Sequence, residues 1–297
     1  MNWLVMGLLS TLCFAFYGLF SKLSPFQPAI ANLIIFASSG IVGILPVLLI
    51  GQKFTYSKEG FLSGICSAGS VLLMLFLLIA NQVLVVFSFV SFSSVVFFLI
   101  ILALEKPALS SKQRILAITG ITVSTLGLMV ASTSLEGITD VLSNASWSGH
   151  YLLIASGIPI GIGLWAYLSF VAMKKVGSRA CDVLCSYSFA ALAVAVLGYC
   201  IFGLSNPLPA FSQFRDFFPV LAGLFLVGGV ILTLKAYETT SGESRIEDTI
   251  VAILANAEIV PLIFLSYFIL GEFTIASFVG AFTVFIGLSI LNAARAE

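Results

Sequence analysis

The sequence predicts an all-α integral membrane protein, with ten transmembrane helices arranged as two inverted-topology five-helix repeats. Three observations predict it. Of the 297 residues, 60% are hydrophobic and 9% charged, too little polar side chain to cover a soluble surface. Apolar stretches of about 20 residues, each enough to cross a ~30 Å hydrocarbon layer, follow one another with mostly short connections. Basic side chains gather on alternate connections, as they do where those connections face the cytoplasm.

The spans are predicted at 3–21, 29–50, 60–80, 83–104, 114–131, 149–173, 181–203, 217–237, 249–271 and 274–294. The first is read as a membrane helix and not as a cleaved leader, because no basic region precedes it and no small-residue cleavage site follows. Lys53, Lys58, Lys106, Lys112, Arg114, Lys174, Lys175, Arg179, Lys235, Arg245 and Arg295 all fall on the side of the even-numbered connections and the termini. Only Lys22 and Arg215 fall on the other. Both termini are therefore expected in the cytoplasm of a cell bounded by a cytoplasmic (inner) membrane.

The polar stretch 132–148, STSLEGITDVLSNASWS, is expected to be an extracytoplasmic linker between a first repeat, 1–131, and a second, 149–297. Its Asn144-Ala-Ser146 sequon carries no functional weight. Five spans is an odd number, so a repeated second half must enter the membrane upside down. Weak repetition is visible: Gly120 and Gly127 in span five match Gly280 and Gly287 in span ten, and spans four and nine stop at Glu105 and Glu272. Inverted five-helix repeats are an architecture of secondary transporters, whose substrate site lies near mid-membrane between the repeats.

The residue demanding an explanation is Glu258, in the apolar stretch IVAILANAEIVPLIFLSYFILGE from Ile250 to Glu272. It lies roughly 12–15 Å from the start of the span, near the midplane. Pro261, three residues on, lacks an N–H and is expected to free the Ala257 carbonyl one turn from the acid. An acid beside a broken helix is tolerated only against protein or a water-filled cavity, and inserting its charge costs about 2.5–3.5 kcal/mol on translocon scales. A structural hydrogen bond is the bland alternative. The functional one is a group that binds a cationic substrate or exchanges a proton.

Other candidates stand beside their ordinary readings. Asn256 projects from a different helix face and serves equally well as packing glue. Tyr17 and Trp165, each an apolar body with one polar handle, are core aromatics by default, yet occupy matching places on the first helix of each half. Ser91 sits with Ser88, Ser93 and Ser94 on span four, where small hydroxyls permit close helix approach. Glu105 and Glu272 stand at helix ends and are expected to need no buried partner. Gly157 and Gly161 flank Pro159 in span six, a candidate hinge. Cys181 and Cys185 share a helix face, but the single histidine, His150, is not near them in sequence, and two packing residues is the better reading. Neither a disulfide framework nor a metal or other cofactor is expected.

With Tyr17-Gly18, Trp165-Ala166, Leu270-Gly271-Glu272 and Ala103-Leu104-Glu105 assembled, the chain resembles the drug/metabolite transporter superfamily, and within it the EamA-like family of ten-helix carriers, over nearly its whole length. Such carriers often hold Glu-Pro in helix nine about fourteen residues before the closing Glu, and Glu258 falls at that acid position. The proline is displaced to Pro261, Ser91-Phe92 replaces a common proline, and the usual arginine of helix two is missing, with Asn32 nearby. The resemblance implies a cavity lined by helices one, three, four, six, eight and nine, with two, five, seven and ten peripheral. The expected function is alternating-access transport of a small organic metabolite, an amino acid or related compound, first as an exporter and with proton coupling through Glu258. Uptake or exchange on the same fold is the runner-up.

The expected partners are that small-molecule substrate, the lipid bilayer and protons, with a second copy of the chain as a further candidate; nucleic acid is not among them. No G-x-x-x-x-G-K-[ST] loop occurs and the soluble segments are too short for an ATP-hydrolysing domain, so energy must come from gradients. An intramembrane enzyme would need a paired nucleophile and base that the sequence does not supply, and a non-transporting receptor would leave Glu258 purely structural.

Overall fold

The computed structural model describes residues 2–50, 53–79, 89–90, 92–107, 109–144, 149–203, 211–241, 245–258, 260–261, 264–265, 268 and 275–296. Those residues form ten α-helices: α1 Trp3–Lys22, α2 Pro28–Ile50, α3 Lys58–Ile79, α4 Ser93–Leu104, α5 Ser111–Asn144, α6 Gly149–Lys174, α7 Ala180–Phe202, α8 Phe218–Thr239, α9 Ile246–Asn256 and α10 Ile275–Ala296. A 3₁₀ turn, Phe214–Phe217, leads into α8. Seven of the described helices are long and apolar enough to cross a membrane, and the chain is a multi-pass membrane protein. Its periphery fits that solvent: Ile115, Leu126, Ile201 and Phe282 all stand more than half exposed, which water would penalise and lipid does not.

Helix ends follow local chemistry. The Asn2 side chain accepts from the Leu4 N–H and caps α1, and Pro219 occupies the first turn of α8, where its missing N–H costs nothing. Helix α5 differs from expectation. It runs through the polar stretch read as a linker as far as Asn144, because that stretch contains no proline and only one glycine to stop it.

Both chain ends lie on one face of the molecule, where the Arg295 guanidinium stands 5.4 Å over the Trp3 ring. We call this the terminal face. Helix α1 packs on α8 and α6 on α3; α2 packs on α8 and α7 on α3; α4 meets α6 and α9 meets α1; α2 with α7, α4 with α9, and α5 with α10 form the remaining principal cross-pairs. One hydrophobic core joins most of these helices through Phe14, Phe36, Phe97, Trp165, Phe170 and Tyr237.

Helices α5 and α10 approach each other closely. A Cβ on Gly120 would stand 2.9 Å from the Gly287 carbonyl oxygen, and one on Gly127 would stand 2.8 Å from that of Gly280. The two seven-residue glycine pairs read from sequence therefore face each other, backbone against backbone, which only glycine permits. On α6 the helix continues through Pro159, with Gly161 pressed against Ser70 and the Cys66 carbonyl of α3.

Candidate functional site

Helix α9 enters from the terminal face and ends at Asn256, one turn short of Pro261. The Ala257 N–H then donates to Leu254 O at 3.2 Å and the Val260 N–H to Ala257 O at 3.0 Å. The expected free carbonyl is thus absent: the chain tightens into three-residue turns, and Val260 supplies Ala257 with the donor that Pro261 cannot. Glu258 lies in that tightened turn.

Glu258 lies just past the end of a buried helix. Every residue of α9 from Ile246 to Ala255 is buried, and so is Ala257, yet Glu258 itself is only half-buried. Its carboxylate is within electrostatic reach of the Tyr17 hydroxyl on α1, which also feels Tyr187 on α7. The Tyr187 hydroxyl in turn shares a 3.1 Å hydrogen bond with Ser67 on α3. Among the described residues no cation lies within ion-pair distance of Glu258. Tyr17 thus stands between the acid, just past the end of α9, and the Tyr187–Ser67 pair, a chain of groups able to accept and donate hydrogen bonds and to hold a proton.

The other predicted site residues fall as follows. Trp165 is 7% exposed, makes an edge contact with Phe14 at 6.2 Å, and carries a buried indole N–H without an acceptor among the described residues. Phe14 is one turn from Tyr17, so α6 meets α1 at the same level. Asn256 is half-buried and donates its amide to Ala252 O, four residues back, at 2.8 Å. Ser91 and Glu272 lie outside the described residues. Sequence reasoning missed Tyr187, since helix seven was expected at the periphery, and did not single out Ser67 on helix three, which was expected to line the cavity; Tyr187 is 2% exposed and turned into the core. The available signal was the polar run Cys185-Ser-Tyr-Ser188 inside an otherwise apolar span.

A second polar cluster occupies the terminal face. Glu105, expected to need no buried partner, has a side chain only 5% exposed. It pairs with Lys175 Nζ at 2.7 Å and accepts from the Tyr167 hydroxyl at 2.8 Å, because the close packing of α4 on α6 removes water from its carboxylate. Burial works against its charge, but Lys175 and Tyr167 outweigh that and hold the carboxyl below the usual range. At the start of α9, Arg295 pairs with Glu247 at 2.7 Å, and Arg245 Nη1 stands 3.6 Å from Asp248, which also accepts from Thr240 at 2.6 Å. Asp248 is wholly buried, and that burial pushes its carboxyl up despite those partners. A surface cavity of about 310 Å³ between Leu102, Lys106, Pro107 and Arg114 opens beside α4, away from Glu258.

A solved crystal structure, described only as that of a protein, superposes with a TM-score of 0.73, covering 99% of this chain and 98% of that one at 16% identity. The fold is shared. The match runs end to end and shows the fold alone, while the multi-pass membrane character rests on this chain's own long apolar helices and its chemistry on its own residues. No protein-family model and no curated protein matches the sequence.

Proposed function

We propose that the chain is a secondary active transporter of the EamA-like, drug/metabolite-transporter type, moving a small organic metabolite across a cytoplasmic membrane. One observation carries the reading: Glu258, half-buried at the break of α9, grouped with Tyr17, Tyr187 and Ser67 from three other helices. A charge at that depth is costly, and a break of helical backbone there is tolerated where it lines a cavity. Such breaks form the binding sites of inverted-repeat carriers.

The packing pattern supports two related halves. Exchanging each helix with the one five places later turns α1 on α8 into α6 on α3, α2 on α8 into α7 on α3, and α4 on α6 into α9 on α1, while α2 with α7, α4 with α9 and α5 with α10 map onto themselves. A pseudo-two-fold axis between 1–131 and 149–297 accounts for all of these pairs together. Because each half has an odd number of helices, that axis lies in the membrane plane and inverts one half. The terminal face is then cytoplasmic, since it is the end bearing Lys53, Lys175, Arg179, Arg245 and Arg295.

In this reading substrate reaches Glu258 alternately from either face. The acid meets a cationic group of the substrate or exchanges a proton for it, and Tyr17, Tyr187 and Trp165 supply hydroxyls, an indole N–H and aromatic walls. Export is the proposed direction. The test is reconstitution in proteoliposomes with an imposed pH gradient and a panel of labelled amino acids and related metabolites, preceded by a thermal-shift screen of that panel. Saturable flux of one class, with stabilisation by the same class, is expected. A panel that neither stabilises nor moves would favour a receptor or scaffold.

A further inference from the structure

Between Glu258 and the terminal face the described side chains are densely packed. All of α9 from Ile246 to Ala255 is buried, and alongside it Phe97 of α4, Phe170 of α6 and Tyr237 of α8 are each fully enclosed. Their rings touch in series: Phe97 stacks on Tyr237 at 6.3 Å and Tyr237 meets Phe170 edge-on at 6.1 Å. Polar ties lie at the helix ends around this plug. Glu105 at the end of α4 holds Lys175 and Tyr167 of the other half, and it also feels Arg245. Arg245, in a left-handed conformation with φ 60°, is fixed over Phe170 at 5.1 Å and beside Asp248. Lys174 reaches across to the carbonyls of Glu238 and Thr240, closing the gap from α6 to the end of α8. Further round the same face, Arg179 donates to the Lys53 carbonyl at 2.7 Å and the Thr55 N–H donates to Asp182 at 3.1 Å, again joining one half to the other.

We propose that Glu105, Lys175 and Tyr167, above the plug of Phe97, Phe170 and Tyr237, form the inner gate of this carrier, and that the structure is held with that gate shut. The proposal rests on the carrier reading and assigns the gating of its site. Its physical basis is that the carboxylate of Glu105 has little water around it, so opening this face must break its ion pair with the half-exposed Lys175 and the Tyr167 hydrogen bond at once, while the rings beneath exclude water and ions as long as the pair holds. The left-handed backbone of Arg245 is uncommon for a residue with a side chain, and the contacts to Phe170 and Asp248 that fix it bring a second cation toward Glu105.

The experiment measures access without transport. In a chain whose native cysteines are replaced, a single Ser67→Cys beside Tyr187 is exposed to a membrane-impermeant maleimide in right-side-out and in inside-out vesicles. With the gate intact, labelling is expected mainly from the face opposite the termini. Glu105→Gln combined with Phe97→Ala is expected to raise labelling from the terminal face by about tenfold and to lower it from the other. The charge exchange Glu105→Lys with Lys175→Glu is expected to restore the original sidedness, which a merely destabilised chain would not do. Size-exclusion profiles verify that each variant is folded, and if the Phe97 variant fails that check, Glu105→Gln alone is read, with a smaller rise of about threefold. Unchanged sidedness in the folded variants, or no recovery on charge exchange, overturns the gate. Failure of the whole metabolite panel in proteoliposomes would instead remove the carrier reading and leave the labelling result standing.

Discussion

The two ends of α9 treat negative charge in opposite ways. At its first turn Glu247 and Asp248 each have a cation, from Arg295 and Arg245, and both side chains are almost wholly enclosed. Just past its far end Glu258 is half-buried, lies within electrostatic reach of the Tyr17 hydroxyl and has no ion-pair partner among the described residues. Acids near the terminal face are thus engaged in holding helix ends together, whereas Glu258 has no such ion pair among the described residues. The same contrast separates Glu105, locked to Lys175, from Glu258.

Breaking the contrast at its deep end has the largest expected effect. Glu258→Gln keeps the shape and removes the titratable group, and it is expected to lower pH-driven transport in proteoliposomes by about tenfold or more, the size of one charge-assisted contact, with the protein still folded by size exclusion. Unchanged pH dependence in that variant would remove the proton-coupling idea and leave the carrier assignment in place.

At the terminal face the effect is on stability, and its sign differs between two acids. Glu105 has its carboxyl lowered in the folded state, so its contribution is present above the unfolded value and lost as pH falls through the folded one. Glu105→Gln is expected to lower stability in detergent by about 1–2 kcal/mol at neutral pH, less than a fully enclosed pair because Lys175 is 44% exposed, with the gap to the parent chain closing as the solution is made acidic. Asp248 has its carboxyl raised, so its contribution is present below the unfolded value and lost as pH rises through the folded one. Asp248→Asn is therefore expected to cost most in acid and least at neutral pH, the reverse of Glu105→Gln. Thermal unfolding of both variants across pH 4–8 checks the pair; parallel curves would show that the two acids do not differ. The smallest effect is reserved for Tyr187→Phe, which removes the Ser67 bond and is expected to raise KM about fivefold, worth about 1 kcal/mol, with little change in Tm.

Much of the helix pattern was legible because lipid demands long apolar segments and internally satisfied backbone. Spans one, two, six, seven, eight and ten begin and end within a few residues of α1, α2, α6, α7, α8 and α10. Polar helix could not be told from polar linker beyond Val130, since hydropathy reports the solvent and not the backbone conformation. The break near Pro261 was legible from the missing N–H, but the rescue of Ala257 by Val260 depends on local geometry that no residue type encodes. At the site, Glu258 and Tyr17 were singled out by depth and matching position, and they lie within reach of each other. Tyr187 and Ser67 were not, because their meeting depends on how α7 lies across α3. Glu105 was misjudged for the same reason: a helix end is exposed only if no other helix comes to cover it.

One feature of the packing limits how such a molecule can move. Where α5 and α10 touch at Gly120, Gly127, Gly280 and Gly287, no side chain separates their backbones. Sliding either helix by one residue would drive a neighbouring Cβ into a carbonyl oxygen. These two helices therefore travel as a single stiff strut, and any rearrangement that exposes Glu258 to the other side has to be accommodated by the helices around them.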